Sequence, residues 1–184
     1  MKALESRSLY LVYGTMILAG LGLDFFSTGA AWTTLREAAI PGPVLIVTGL
    51  LFGALLLSLY RMVSKLCRWR YGLREFLLQN LTPLSYLHAI LIGGVSALLE
   101  EWFFRGLLAP RLGIILSSLL FAAAHHLPHR QRLSWIFWNF GFSITLGLLA
   151  HESHSFWTST IAHGFFNLSL LIRLNQIAYR SAVS

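Results

Sequence analysis

Six apolar runs alternate with polar breaks along the chain. They cover roughly Leu9–Phe25, Pro43–Val63, Leu84–Leu108, Leu112–His126, Ser134–Ala150 and Ser155–Ile172. At 1.5 Å per residue each comes near the length that crosses a hydrocarbon layer of ~30 Å, the fourth and fifth being short. None shows the period-two alternation of a barrel strand. A backbone in lipid must satisfy its own polar groups, so the runs predict helices. Breaks are expected at Pro41-Gly42-Pro43, Leu81-Thr82-Pro83, Ala109-Pro110 and Leu127-Pro128. The first run follows Lys2 and Arg7 in the manner of a signal peptide, but no small-residue cleavage site follows it, so it reads as the first span. The expected fold is all-α: a polytopic membrane helix bundle of about six transmembrane helices, forming a single integral membrane domain over 1–184 without repeats or low-complexity segments.

Composition narrows the function. Of the 184 residues 56% are hydrophobic and 11% charged, against roughly 25% charged in a soluble domain. So small a fold could not hide that much apolar surface in one core, which excludes soluble globular, disordered and fibrous proteins. The net charge of +7 would point to nucleic acid in a soluble protein. Here no nucleic-acid-binding pattern accompanies it, and the basic residues sit at the ends of apolar runs, where they set topology and meet anionic lipid headgroups. With the N-terminus inside, the inner segments hold Lys2, Arg7, Arg61, Lys65, Arg68, Arg70, Arg74, Arg130, Arg132, Arg173 and Arg180. The outer segments hold Arg36 and Arg111. Both termini are therefore expected in the cytoplasm. The single cysteine, Cys67, excludes an intrachain disulfide and a multi-cysteine metal site.

The charges left inside the apolar runs carry the chemistry. Glu100, Glu101 and Arg105 interrupt a run that is otherwise apolar for about 25 residues, so they must face protein or water. Glu101 and Arg105 are i,i+4 neighbours and can pair. Glu100 lies about 100° away, desolvated beside a negative neighbour, the setting of a general base. His125 stands in a run of alanines that permits close helix packing, and His163 and Asn167 share one face of the last run. Measured from the breaks near residues 109, 111 and 155, Glu100 lies ~14 Å deep, His163 ~12 Å, Asn167 ~18 Å and His125 ~21 Å. That spread is less than two helical turns.

These groups suit attack of water on a carbonyl. Glu100 would deprotonate the water with His125 orienting it, while His163 and Asn167 would donate to the developing oxyanion. HExxH and GxSxG are absent, and Asp24 is the sole aspartate, which excludes a two-aspartate mechanism. Three rivals stay open: a zinc site from Glu100, His125 and His163, a non-catalytic immunity or regulatory binding protein, and a small transporter using Glu100 and Glu101 as an ion site.

The three clusters resemble the motifs of the CAAX protease and bacteriocin-processing family, also called Abi or CPBP proteins. Glu100, Glu101 and Arg105 match its EExxxR, Phe121 and His125 its FxxxH, and His163 and Asn167 its HxxxN. The resemblance covers roughly residues 95–172, which would form a four-helix catalytic core. It implies a glutamic intramembrane endopeptidase, with no metal or other cofactor, acting on a membrane-anchored protein or peptide. In that reading Glu100 and His125 activate water, His163 and Asn167 form the oxyanion site, and Glu101, Arg105 and Phe121 support them. The charge count opens such a site toward the outer face of a bacterial inner membrane. That suits small members resembling sorting proteases, which remove C-terminal membrane tails, better than cytosolic processing of prenylated proteins. His88, the His126–Arg132 stretch, the His151–His154 loop and Cys67 are expected to lie outside the chemistry.

Overall fold

The computed structural model describes residues 13–22, 42–67, 85–125 and 132–183. Among these every element is helical and no strand occurs, so the all-α membrane bundle read from the runs is the observed architecture. The helices are α1 (Tyr13–Gly22), α2 (Gly42–Cys67), α3 (Tyr86–Glu101), α4 (Ala109–Ala124), α5 (Arg132–Glu152) and α6 (Phe156–Val183). A π-helical segment, Trp102–Leu108, joins α3 to α4. Of the expected breaks, those at Leu81–Pro83 and Leu127–Pro128 lie outside the described residues.

Three stretches are long and apolar enough to cross a membrane: Gly42–Leu66, Tyr86–Ala124 and Leu133–Glu152. The middle one contains two of the expected runs. The sequence predicts their junction at Ala109-Pro110, but the chain does not turn there. Pro110 sits in the first turn of α4, where its missing N–H costs little and its fixed φ suits a helix. The chain turns instead at Gly113, whose φ of 79° and ψ of 163° fall in a region open essentially to glycine alone. A straight helix would put Glu100 and His125 about 37 Å apart; they are in contact, so the chain doubles back. Gly113 divides their separation almost equally, which accounts for the similar depths of the two residues.

Pro110 acts on the preceding turn. It offers no N–H to Gly106 and would crowd that residue's carbonyl. The backbone widens, and Ala109 N–H bonds the Phe104 carbonyl five residues back. Arg111 Nη1 donates to the Leu107 carbonyl at 2.6 Å, adding a side-chain donor to the widened turn. Such π-helical interruptions mark places where side chains are re-aimed.

Helix α6 carries too many polar groups to qualify as a span by apolarity, and it extends well beyond the expected Ile172. Its position supplies the reason: it packs against α2, α3 and α5, so its polar face meets protein. Gly49 and Gly53, one turn apart on α2, let α6 come close. A Cβ on Gly49 would stand 2.8 Å from Ile161, and one on Gly53 2.8 Å from the Ala162 carbonyl. This small-xxx-small spacing is the usual device for bringing two membrane helices together. The contacts run in the same order along both helices, so α2 and α6 are parallel. Between α3 and α6 the order reverses, Gly93 meeting Leu168 and Gly164 meeting Ala97. Large apolar side chains face outward, among them Leu18, Leu51, Ile115 and Phe137 at 65–72% exposure. In water that would be an aggregation surface; around a membrane bundle it is the lipid-facing coat. The interior is an aromatic cluster of Tyr60, Phe104, Phe121, Trp135, Phe142 and Phe166, lying beside the polar site.

Candidate active site

The two adjacent glutamates of α3 point in different directions and meet different partners. Glu101 is fully buried. Its Oε1 accepts from His163 Nδ1 at 2.8 Å and pairs with Arg105 Nη1 at 3.0 Å. Arg105 Nη2 donates to the carbonyl and the hydroxyl of Ser143, both at 2.9 Å, and the guanidinium lies 4.9 Å from the centre of the Phe121 ring. A buried charge needs its partner and its hydrogen bonds together, and α3, α5, α6 and the π segment each supply part of this set. The i,i+4 pair expected from spacing is present.

Glu100 faces the other way. Its Oε1 accepts from the Tyr13 hydroxyl at 2.9 Å. Its Oε2 stands 3.3 Å from His125 Nε2 and 3.8 Å from His163 Nε2, with no strict hydrogen bond to either. Both histidines have defined orientations. His125 Nδ1 lies 2.9 Å from the Phe121 carbonyl, which can only accept, so the proton sits on Nδ1 and Nε2 is turned to Glu100. His163 likewise gives its Nδ1 proton to Glu101. His163 therefore touches both carboxylates, one through each ring nitrogen.

Local structure explains why these rings hold still. His125 ends α4 in a non-helical conformation, stacks on Phe121 at 4.2 Å, and its carbonyl accepts from Trp135 Nε1 at 2.7 Å. The His163 ring meets Phe142 edge-on at 5.2 Å. Asn167 is placed one turn away: its Nδ2 donates to Ser96 Oγ at 3.3 Å, and Ser96 precedes Glu100 by four residues. The structure thus joins Glu100, Glu101, Arg105, Phe121, His125 and His163 in direct contact, and sets Asn167 beside them along the α6 face.

Residues 80–169 match the family model described as type II CAAX prenyl endopeptidase Rce1-like. That stretch, a little under half of the chain, is similar to that family. The match includes all seven residues of the three motifs and stops short of α1 and α2. Together with three stretches long and apolar enough to cross a membrane, the match points to an integral membrane protein similar to a family of endopeptidases. No curated protein and no solved structure matches the chain.

Beside the Rce1-like motifs stand residues that sequence reasoning missed. Tyr13 is 87 positions from Glu100, Ser143 is 38 from Arg105, and Trp135 is on a different helix from His125. A tyrosine in an apolar first span was a visible oddity, but nothing in its spacing indicated a partner. Among the described residues no group of three His, Cys, Asp or Glu side chains is arranged to hold a metal ion. The residues expected outside the chemistry that fall within the described part lie away from the cluster. His88 bonds the helix-capping Ser85, and His151 pairs with Glu152 in an exposed turn. His126–Gln131 lie outside the described residues. A cavity of about 390 Å³ opens at that exposed α5–α6 turn, between His151 and His154, and reaches inward to Arg105.

Proposed function

We propose that this protein is a metal-independent glutamic endopeptidase that hydrolyses a peptide bond of a membrane-anchored protein. The observation that carries the reading is Glu100 Oε2, a buried carboxylate oxygen between two imidazole Nε2 atoms.

Charge balance distributes the protons. Glu100 and Glu101 bring two negative charges and Arg105 one positive, so a single protonated imidazole neutralises the cluster. His163, whose Nδ1–H is held by Glu101, carries that proton on Nε2 and becomes a donor. Neutral His125 offers Nε2 as an acceptor, so a water between it and Glu100 is held by its hydrogens. Glu100 takes one proton as the water oxygen attacks the scissile carbonyl carbon. The carbonyl oxygen becomes an oxyanion, received by His163 Nε2–H and Asn167 Nδ2–H. Glu100 then returns its proton to the amide nitrogen, the C–N bond breaks, and an acid and an amine leave. Tyr13 holds Oε1 and leaves Oε2 as the reacting oxygen. Glu101, Arg105 and Phe121 orient His163 and His125. No step requires a metal or another cofactor.

The cavity at the α5–α6 turn ends at Arg105, on the Glu101 side of the site, and does not open onto Glu100. By the charge count, with both termini cytoplasmic, that turn faces outward from a bacterial inner membrane. This favours an exported protein with a C-terminal membrane tail over a prenylated cytosolic one. The test is cleavage of peptides that carry a hydrophobic tail by the purified protein in lipid, beside Glu100→Gln and Glu100→Ala. Cleavage lost in both variants and insensitive to chelators is the expected result. Cleavage retained by Glu100→Gln removes the assigned base, and loss on chelation with recovery on adding zinc replaces the mechanism with a zinc one. Reporter fusions in the 150–155 loop read the orientation, and a cytoplasmic signal there overturns the outward site.

A further inference from the structure

At the opposite end of α6 from the α5–α6 turn lies a second cavity, of about 480 Å³, between α2 and α6. Three cations line it: Arg61 and Lys65 near the C-terminus of α2, and Arg173 on α6. Among the described residues none of the three is paired with a carboxylate. The hydroxyl-bearing Ser64 and Ser169 share the lining, and Leu57 and Leu174 supply an apolar wall. Because α2 and α6 run parallel, the three cations reach the same membrane boundary, where the apolar stretch of α2 ends at Leu66.

We propose that this cavity binds the phosphate headgroup of an anionic phospholipid. Three considerations select that occupant. Three cations around one cavity, without a carboxylate partner among the described residues, repel one another and are satisfied together by a phosphate, which accepts from several donors at once. The Ser169 hydroxyl can donate to the same oxygens. The cavity opens at the membrane boundary with apolar side chains beside the polar ones, so an acyl chain can follow the helix surface while the headgroup stays among the cations. A soluble anion would use the charge and waste the apolar wall. By the positive-inside count these residues face the cytoplasm, whose leaflet carries the anionic lipid. The lipid bridges α2 and α6, which are otherwise joined through the glycine contacts higher up. It lies remote from Glu100 and is independent of the reading of that site as a peptidase.

The experiment is native mass spectrometry of the full chain released from nanodiscs of phosphatidylcholine containing a titrated fraction of phosphatidylglycerol. Wild type is compared with the Arg61→Gln/Lys65→Gln/Arg173→Gln variant. Wild type is expected to retain one phosphatidylglycerol in preference to phosphatidylcholine, and the triple variant to bind it about 100-fold more weakly, each charge contributing near the surface on the order of a few-fold to tenfold. Thermal unfolding in pure phosphatidylcholine should be the same for both, which separates lost binding from lost folding. A single Arg173→Gln variant, removing the α6 contribution alone, should bind at an intermediate level. Glycerol phosphate and inorganic phosphate form a second arm. If either displaces the lipid at millimolar concentration, the cavity is a soluble-anion site and the lipid assignment fails. Equal retention of phosphatidylglycerol by wild type and triple variant, or no preference over phosphatidylcholine, also overturns it.

Discussion

Glu100 and Glu101 are adjacent in the chain and occupy different worlds. The Glu101 side is sealed: the carboxylate has no exposure, and Arg105, Ser143 and His163 converge on it from three other places in the fold. The Glu100 side is closed less completely. His125 keeps 29% of its side chain exposed, and Tyr13 comes from a helix outside the family match. One residue of rotation along α3, about 100°, is enough to give one glutamate an ion pair and the other a place beside two imidazoles. His163 spans the two sides, so the sealed one can hold the orientation of a ring that the open one uses.

The comparison breaks most decisively at Glu100. Exchange to Gln keeps the shape and removes the base. Turnover of a tailed peptide should fall by about 10³-fold, within the range ascribed to a general base, while the unfolding temperature stays within a degree or two. A variant that still turns over at a tenth of the wild-type rate would end the assignment. Glu101→Ala should do the reverse in kind. It leaves Arg105 buried without its counter-ion and His163 without its acceptor, at a cost of about 3–5 kcal/mol in stability, read as a lowered unfolding midpoint in detergent. If Glu101→Ala unfolds as wild type does, the sealed side is not the structural one.

Smaller effects sharpen the contrast. Gly113→Ala puts a side chain on a backbone conformation reserved for glycine, and should destabilise by about 1–3 kcal/mol, moving His125 relative to Glu100 and lowering kcat along with the midpoint. An unchanged midpoint would show that the reversal between α3 and α4 does not depend on that backbone conformation. Tyr13→Phe removes one hydrogen bond to a carboxylate, worth about 1.5–3 kcal/mol. It should lower the unfolding midpoint by a few degrees and kcat by about tenfold or somewhat more, with KM little altered. A change in KM alone would make Tyr13 a substrate contact and not a positioning residue.

Much of the site was legible because membrane burial makes polar residues conspicuous. Glu100, Glu101, Arg105, His125, His163 and Asn167 stand out against apolar neighbours, and their spacing matches three family motifs in order. Helix spacing also foretold the Glu101–Arg105 pair. The hinge was misread because proline and glycine are both breakers in sequence, while their effects differ by position. Pro110 could be accommodated in a first turn, at the expense of a π-helical segment upstream, whereas Gly113 could take a backbone shape closed to other residues. Tyr13, Ser143 and Trp135 were illegible for another reason. A hydroxyl or an indole is common in membrane helices and acquires a role only from the group it meets, and these meet partners on other elements.

By itself the sequence determined that the chain is an all-α membrane bundle and which polar groups lie within it, since lipid leaves few alternatives to a helix and few excuses for a charge. The tertiary structure decided which glutamate was sealed and which was left beside the imidazoles. It turned the chain at Gly113 so that Glu100 and His125 meet, brought α6 inside where its polar face could be satisfied, and gathered three cations from two parallel helices around one cavity. Those outcomes depend on helix directions and close approaches between residues tens of positions apart, which one-dimensional periodicity does not encode.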